Sequence, residues 1–204
     1  MREQFIGFAL FLAAAATLSA SPFTNGSFES ASVDPGGGFS TLASGSTAIT
    51  GWMVGGNGID YIGGYWSAFD GTRSLDMNAL TLGSISQDFD TMVGQTYLVT
   101  FYMSKNPGAS SAAMDVSAAG STTGYSFSAA NDVTNMLWAQ NTFQFIATSA
   151  ITTLSFTATS PEGGFGPALD AVSVVAGVPE PGTLTMMLFG IGIGAIGLWK
   201  RKRS

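Results

Sequence analysis

Between residues 21 and 179 the ionisable side chains are almost all carboxylates: eleven Asp and Glu face only Arg73 and Lys105, a net of −9. The 204-residue chain has no Cys and no His. Thiol nucleophiles, Ser-His-Asp triads and Cys/His zinc sites are therefore excluded. Carboxylates alone can cleave a glycosidic bond as a facing pair, one of them with a raised pKa. They can also hold a hard cation such as Ca²⁺. No spacing singles out a catalytic pair, and no catalytic residue is assigned. Asp88 and Asp90, two apart, share one face of a strand and read as a solvated face. A phosphate backbone is repelled by such a body, which excludes nucleic acid as a partner.

A second constellation is aromatic. Trp52, Tyr61, Tyr65, Trp66 and Phe69 crowd a Gly-rich stretch that also carries Asn57, Asp60 and Asp70. Sugars are held by stacking their apolar ring faces on aromatic planes, while amide and carboxylate oxygens orient the hydroxyls. Tyr65-Trp66 follows Gly63-Gly64, so a loop-borne platform of two exposed, nearly coplanar rings is expected, with Asp60 and Asp70 beside it. Trp52 and Tyr61 occupy strand positions and are expected in the core. The reading is a non-catalytic carbohydrate-binding module. A structural protein without a ligand is the alternative, and it predicts rings that are buried or scattered. A polysaccharide hydrolase comes third.

The elements that must position these residues are strands. Residues 21–177 show no helix-length 3.6 periodicity, but short β-branched and aromatic runs alternate with Gly, Asn, Asp and Ser clusters. Thr96–Ser104 alternates most regularly, with Tyr97, Val99, Phe101 and Met103 on one face. Met114–Ala118, Asn141–Ala147, Thr153–Thr159 and Ala168–Val175 repeat the period of two, and Gly58–Ile62, Ser74–Asn78 and Ser84–Phe89 precede them. Gly55–Gly58 reads as a loop. About eight to ten such strands without βαβ alternation predict one all-β domain, an antiparallel sandwich.

Both ends are addresses. Met1–Gln4 carries one Arg, Phe5–Leu18 is apolar, and Ser19-Ala20-Ser21 is small: residues 1–20 read as a signal peptide removed by signal peptidase. At the other end Val178, Pro179, Glu180 and Pro181 precede the uncharged Leu184–Trp199, followed by Lys200–Arg203. Those 16 apolar residues reach roughly 24 Å as a helix. With Thr183 they predict a single transmembrane helix at about 183–199, with its basic tail in the cytoplasm and the body outside. The two prolines forbid helix ahead of the span and hold an extended segment where a protease can grip it.

This tail, residues 178–204, resembles the PEP-CTERM sorting signal of Gram-negative bacteria, with Val178-Pro179-Glu180-Pro181 as the motif. The resemblance implies recognition and cleavage by an exosortase and a producer that makes exopolysaccharide. It also implies transient anchoring in the inner membrane, then a place at the cell surface or in the extracellular matrix. The body carries in order Asn25–Glu29, Gly51-Trp52, Gly71–Asp76, Gly83–Phe89, Gly94–Phe101, Asn106-Pro107 and Gly166–Val172. That string is similar to the choice-of-anchor C family, relatives of galactose-binding-like jelly rolls and carbohydrate-binding modules. Ala171 departs from it, since an Asn or Asp commonly follows the Asp there. The resemblance implies a jelly roll in which Glu29 and Asp170 stand together and hold a structural Ca²⁺ with backbone carbonyls.

Overall fold

The computed structural model describes residues 22–160 and 163–177. The signal peptide, the motif Val178–Pro181, the apolar segment and the basic tail lie outside the described residues.

Eleven strands form where residue types alternate: β1 (Phe39–Leu42), β2 (Met53–Gly56), β3 (Ile59–Ile62), β4 (Ser74–Asp76), β5 (Gly83–Asp90), β6 (Thr96–Lys105), β7 (Ala112–Ala118), β8 (Ser121–Phe127), β9 (Ala139–Ile146), β10 (Ile151–Ala158) and β11 (Pro167–Ala176). They build two antiparallel sheets, ordered β1-β3-β4-β11-β6-β9 and β2-β5-β10-β7-β8. The fold is the expected all-β jelly-roll sandwich. The strand count exceeds the sequence reading because β1, β2 and β8 were not anticipated. Gly55 and Gly56, expected in a loop, close β2.

The period of two drives the packing. Val99, Phe101 and Met103 of β6, Phe143 and Phe145 of β9, Leu75 and Leu169 face Ile85 and Phe89 of β5, Leu154 and Phe156 of β10, and Met114 and Val116 of β7. A buried side chain of this size contributes ~1.5–3 kcal/mol. Trp52 and Tyr61 lie in this core as expected. Trp52 packs on Phe28 and Phe156, with ring centroids 5.3 and 6.3 Å away. Its Nε1 donates to the Asn25 carbonyl at 2.9 Å, and the Tyr61 hydroxyl donates to the Phe28 carbonyl at 2.7 Å. These bonds satisfy buried donors and pin the entering chain to the sandwich.

Alternation also fixes what the six-stranded sheet turns outward: Asp60 and Ile62 of β3, Ser74 and Asp76 of β4, Ala168 and Asp170 of β11, and Tyr102 and Ser104 of β6. Part of this outer face is roofed by the segments around residues 66 and 136. There Trp66, Met136, Ile62 and Ala168 form a second, smaller apolar cluster.

Candidate functional site

Beside that small cluster, the outer face leaves a cavity of about 120 Å³ lined by Phe39, Asp60, Ile62, Tyr65, Trp66, Asp76, Asn106, Gly164 and Phe165. Its floor is set by register. Asp60 of β3 pairs with Asp76 of β4, and Asp76 pairs with Ala168 of β11, which pairs with Ser104 of β6. Asn106 follows at the end of β6.

The floor presents acceptors. Asp76 Oδ1 accepts from the Asn78 and Gly166 N–H groups at 3.0 and 2.9 Å, and Oδ2 from Asn106 Nδ2 at 2.7 Å. A Cβ at Gly166 would stand 2.5 Å from Asp76 Oδ1, so only glycine fits there. Burial pushes the Asp76 carboxyl up to about 7 against these three bonds, and the neighbouring Asp60 charge adds to the rise. Burial also lifts Asp60 above the ordinary carboxylate range, partly offset by the Thr41 hydroxyl, which donates to its Oδ1 at 2.6 Å. Around the mouth stand three half-exposed rings, Phe39, Tyr65 and Phe165. Phe39 meets Tyr65 edge-on, centroids 5.7 Å apart at 74°.

The structure brings Asp60, Tyr65 and Trp66 to one cavity but corrects the expected platform. Trp66 is not a surface ring: it is 3% exposed, and its Nε1 donates to Ser74 Oγ at 2.8 Å. The roof around Met136 buries it, a long-range contact invisible in the local pattern. Nor are the two rings coplanar, since Tyr65 and Trp66 are inclined at 52°. Asp70 does not reach the cavity. Its N–H donates to Asp170 Oδ2, and its side chain faces solvent. The residues that sequence reasoning left without a role are Phe39, Phe165, Asp76 and Asn106. Asp76 and Asn106 stood in the string of motif residues, and Phe165 between two glycines was a signal for a loop-borne ring. Phe39 gave none.

Glu29 and Asp170 come to a single segment, residues 69–73. Glu29 Oε1 accepts from the Thr72 and Arg73 N–H groups, both at 2.7 Å, and Oε2 from the Thr72 hydroxyl. Gly71, at φ 70°, lies so close that a Cβ would stand 2.5 Å from Glu29 Oε1. Asp170 Oδ2 accepts from the Phe69 and Asp70 N–H groups, and Oδ1 from that of Ala171. Asp170 is fully buried, and burial pushes its carboxyl up to about 7. Among the described residues no cluster of three or more His, Cys, Asp or Glu stands ready for a metal. A Ca²⁺ here would share oxygens already hydrogen-bonded and take backbone carbonyls for the rest. Six hydrogen bonds already reach the oxygens of these two acids, so an ion here would compete with the donors of residues 69, 70, 72, 73 and 171. Both acids adjoin strained backbone, with Phe28 at φ 62° and Ala171 at φ 48° beside the β11 bulge. The left-handed φ of Ala171 is the physical reason an Asn or Asp suits that position better.

Residues 21–175 match the family described as a protein of unknown function (DUF642). The chain belongs to the DUF642 family. Residues 177–203 of this DUF642 protein match the PEP-CTERM protein-sorting motif, which makes it an exported protein. Halomucin of Haloquadratum walsbyi (strain DSM 16790 / HBSQ001) is 34% identical to the DUF642 chain over 163 residues, covering 74% of it. The chain spans only 2% of halomucin's length. Among solved structures, TmCBM61 in complex with beta-1,4-galactotriose aligns at a TM-score of 0.51 and 15% identity, covering 78% of the DUF642 chain and 100% of that one. CBM35 from Paenibacillus barcinonensis aligns at 0.47 and 20% identity, covering 68% and 99%. The first of these shows the fold that the DUF642 body shares with a carbohydrate-binding module.

Proposed function

We propose that the exported protein is a non-catalytic module that binds a terminal sugar unit of extracellular polysaccharide in the cavity floored by Asp60, Asp76 and Asn106. The observation that carries this reading is the pairing of three half-exposed rings, Phe39, Tyr65 and Phe165, with a floor of buried hydrogen-bonding oxygens. Rings take the apolar faces of a sugar and the floor takes its hydroxyls. At about 120 Å³ the cavity falls well below the ~300–1,000 Å³ of pockets that engulf a whole drug-sized ligand, which favours one chain-end unit over an internal stretch. Two carboxyl groups on the floor disfavour acidic sugars by like charge.

The remaining assignments belong to the same reading. Residues 1–20 leave at export through signal peptidase, 21–177 are the mature binding domain, and an exosortase removes 178–204 near Val178–Pro181. Before that cut the segment at about 183–199 anchors the body outside the inner membrane of a Gram-negative cell. Afterwards the protein resides at the surface or in the exopolysaccharide matrix, with Ca²⁺ bridging Glu29 and Asp170.

Hydrolysis is the second reading, because Asp60 and Asp76 face each other across two strands and Asp76 titrates near 7. Against it, both Asp76 oxygens are tied down by three donors, which keeps the carboxyl raised to about 7 from swinging to a leaving group. A glycan array probed with protein recovered from the native host tests the proposal, alongside a reducing-end assay and intact mass. Binding of neutral chain ends without reducing-end release is the expected result, with a mature C-terminus near residue 180. An array without signal overturns sugar binding, and a C-terminus at Ser204 overturns the sorting assignment.

A further inference from the structure

One end of the sandwich is built from the turn between β5 and β6 and the turn between β9 and β10, laced together by their backbones. The Thr91 N–H donates to the Ala150 carbonyl, Gly94 to Ala147 and Ala147 to Gln95, at 2.8–2.9 Å. The Met92 N–H donates to the Tyr97 hydroxyl. With its backbone tied inward, this turn holds Met92 and Val93 out in solvent, 71% and 69% exposed. Ile146 at the end of β9, Ile151 at the start of β10 and Val175 near the end of β11 are exposed around them. Five large apolar side chains from four segments thus cap this end, Ile146 and Val175 on the outer face of the six-stranded sheet, Ile151 on that of the five-stranded sheet, and Met92 and Val93 on the turn that joins the two sheets. Of the described cations, Arg73 pairs with Asp34, and Lys105 ends β6 at the other end of the sheet.

The chain leaves the domain at this same end. The Gly177 N–H donates to the Thr96 carbonyl, and Gln95 Nε2 donates to the Gly177 carbonyl. Only residues 178–183 separate that clamp from the uncharged Leu184–Trp199, a span of at most ~20 Å. The cavity lies toward the far end, where Asn106 follows β6 and Phe165 precedes β11.

We infer that in the uncleaved precursor the cap of Met92, Val93, Ile146, Ile151 and Val175 rests in the interfacial layer of the lipid bilayer, holding the cavity away from the membrane. This inference rests on the membrane anchor of the proposed function and not on sugar binding. The occupant is lipid because the tether delivers this end, and no other, to the apolar layer that receives residues 184–199. The body's charge of −9 gives no attraction to anionic headgroups, so the contact depends on the tether and ends when the tail is cut.

Because the chain has no cysteine, single labels are clean. Full-length precursors carrying Val93→Cys or Ser128→Cys are labelled with an environment-sensitive dye and reconstituted into phosphatidylcholine vesicles containing nitroxide-bearing lipid. Ser128 follows β8, whose Phe127 pairs with Ala112 at the end remote from the cap. The expected result is flotation of both precursors with the vesicles, and quenching several-fold stronger at position 93 than at 128. A precursor that does not float overturns the anchor and the orientation together. One that floats with equal quenching at both sites overturns the orientation alone. Energy transfer between labels at position 93 of two copies, without lipid quenching, would place a second copy on the cap and overturn the lipid assignment.

Discussion

Asp60 and Asp76 sit directly opposite each other on the antiparallel strands β3 and β4, turned outward, and both line one cavity. Side chains directly opposite on such strands approach to roughly 4.5–5.5 Å between Cβ atoms. Two carboxyl groups that close and that buried cannot both ionise cheaply, and the binding floor inherits this tension.

Its first consequence is a pH dependence of stability. With the Asp76 carboxyl at about 7 when folded and about 3.8 when unfolded, the folded state keeps its proton where the unfolded state has lost it. Unfolding free energy is therefore highest below pH ~4, falls as pH rises to ~7 and then levels, by up to about 4 kcal/mol for this group. Asp60, also raised, acts in the same direction. Denaturant titrations of wild type and Asp76→Asn from pH 4 to 8 check this. The variant should lose only the Asp76 share of the slope, about half, because Asp170, also pushed up to about 7, keeps its own.

The rings separate binding from folding. Tyr65→Ala and Phe165→Ala should each weaken retention on polysaccharide about tenfold, the worth of ~1.4 kcal/mol of stacking, with the melting temperature almost unmoved. Trp66→Ala should instead cost ~3–5 kcal/mol of stability, because it empties a buried site against Met136 and Ile62. Affinity electrophoresis in the host's polysaccharide paired with thermal melts distinguishes the two behaviours.

At Ala171 the backbone is held at φ 48°. A left-handed conformation costs a residue with a Cβ ~1–2 kcal/mol, so Ala171→Gly should raise stability by about 1 kcal/mol despite the added chain entropy. Urea unfolding measures this, and a loss of stability would count against the strain.

Calcium is checked by melting in EDTA and in millimolar Ca²⁺. An ion held between Glu29 and Asp170, at a hundred times its Kd, adds ~2.7 kcal/mol and raises the melting temperature by roughly 5–10 °C. Glu29→Gln should abolish the difference, whereas identical melts with and without the ion would remove it from the site.

The period of two in β5, β6, β7, β9, β10 and β11 was legible along the chain, because a strand with one face buried writes its environment at every second residue. Trp52 and Tyr61 could be assigned to the core for the same reason, and the terminal addresses are linear signals by nature. The three strands that escaped, β1, β2 and β8, all lie at sheet edges. There one flank is unpaired and the burial pattern is mostly exposed, as in the Ser121–Phe127 run, so alternation fades. Binding geometry was decided further from the sequence still. Asp76, Asn106 and Phe165 meet only because β4, β6 and β11 become neighbours, and Trp66 is buried only because the chain near Met136 folds over it. Local pattern records which face a residue prefers. Which distant residue shares that face is set by sheet order, and sheet order exists only in the folded chain.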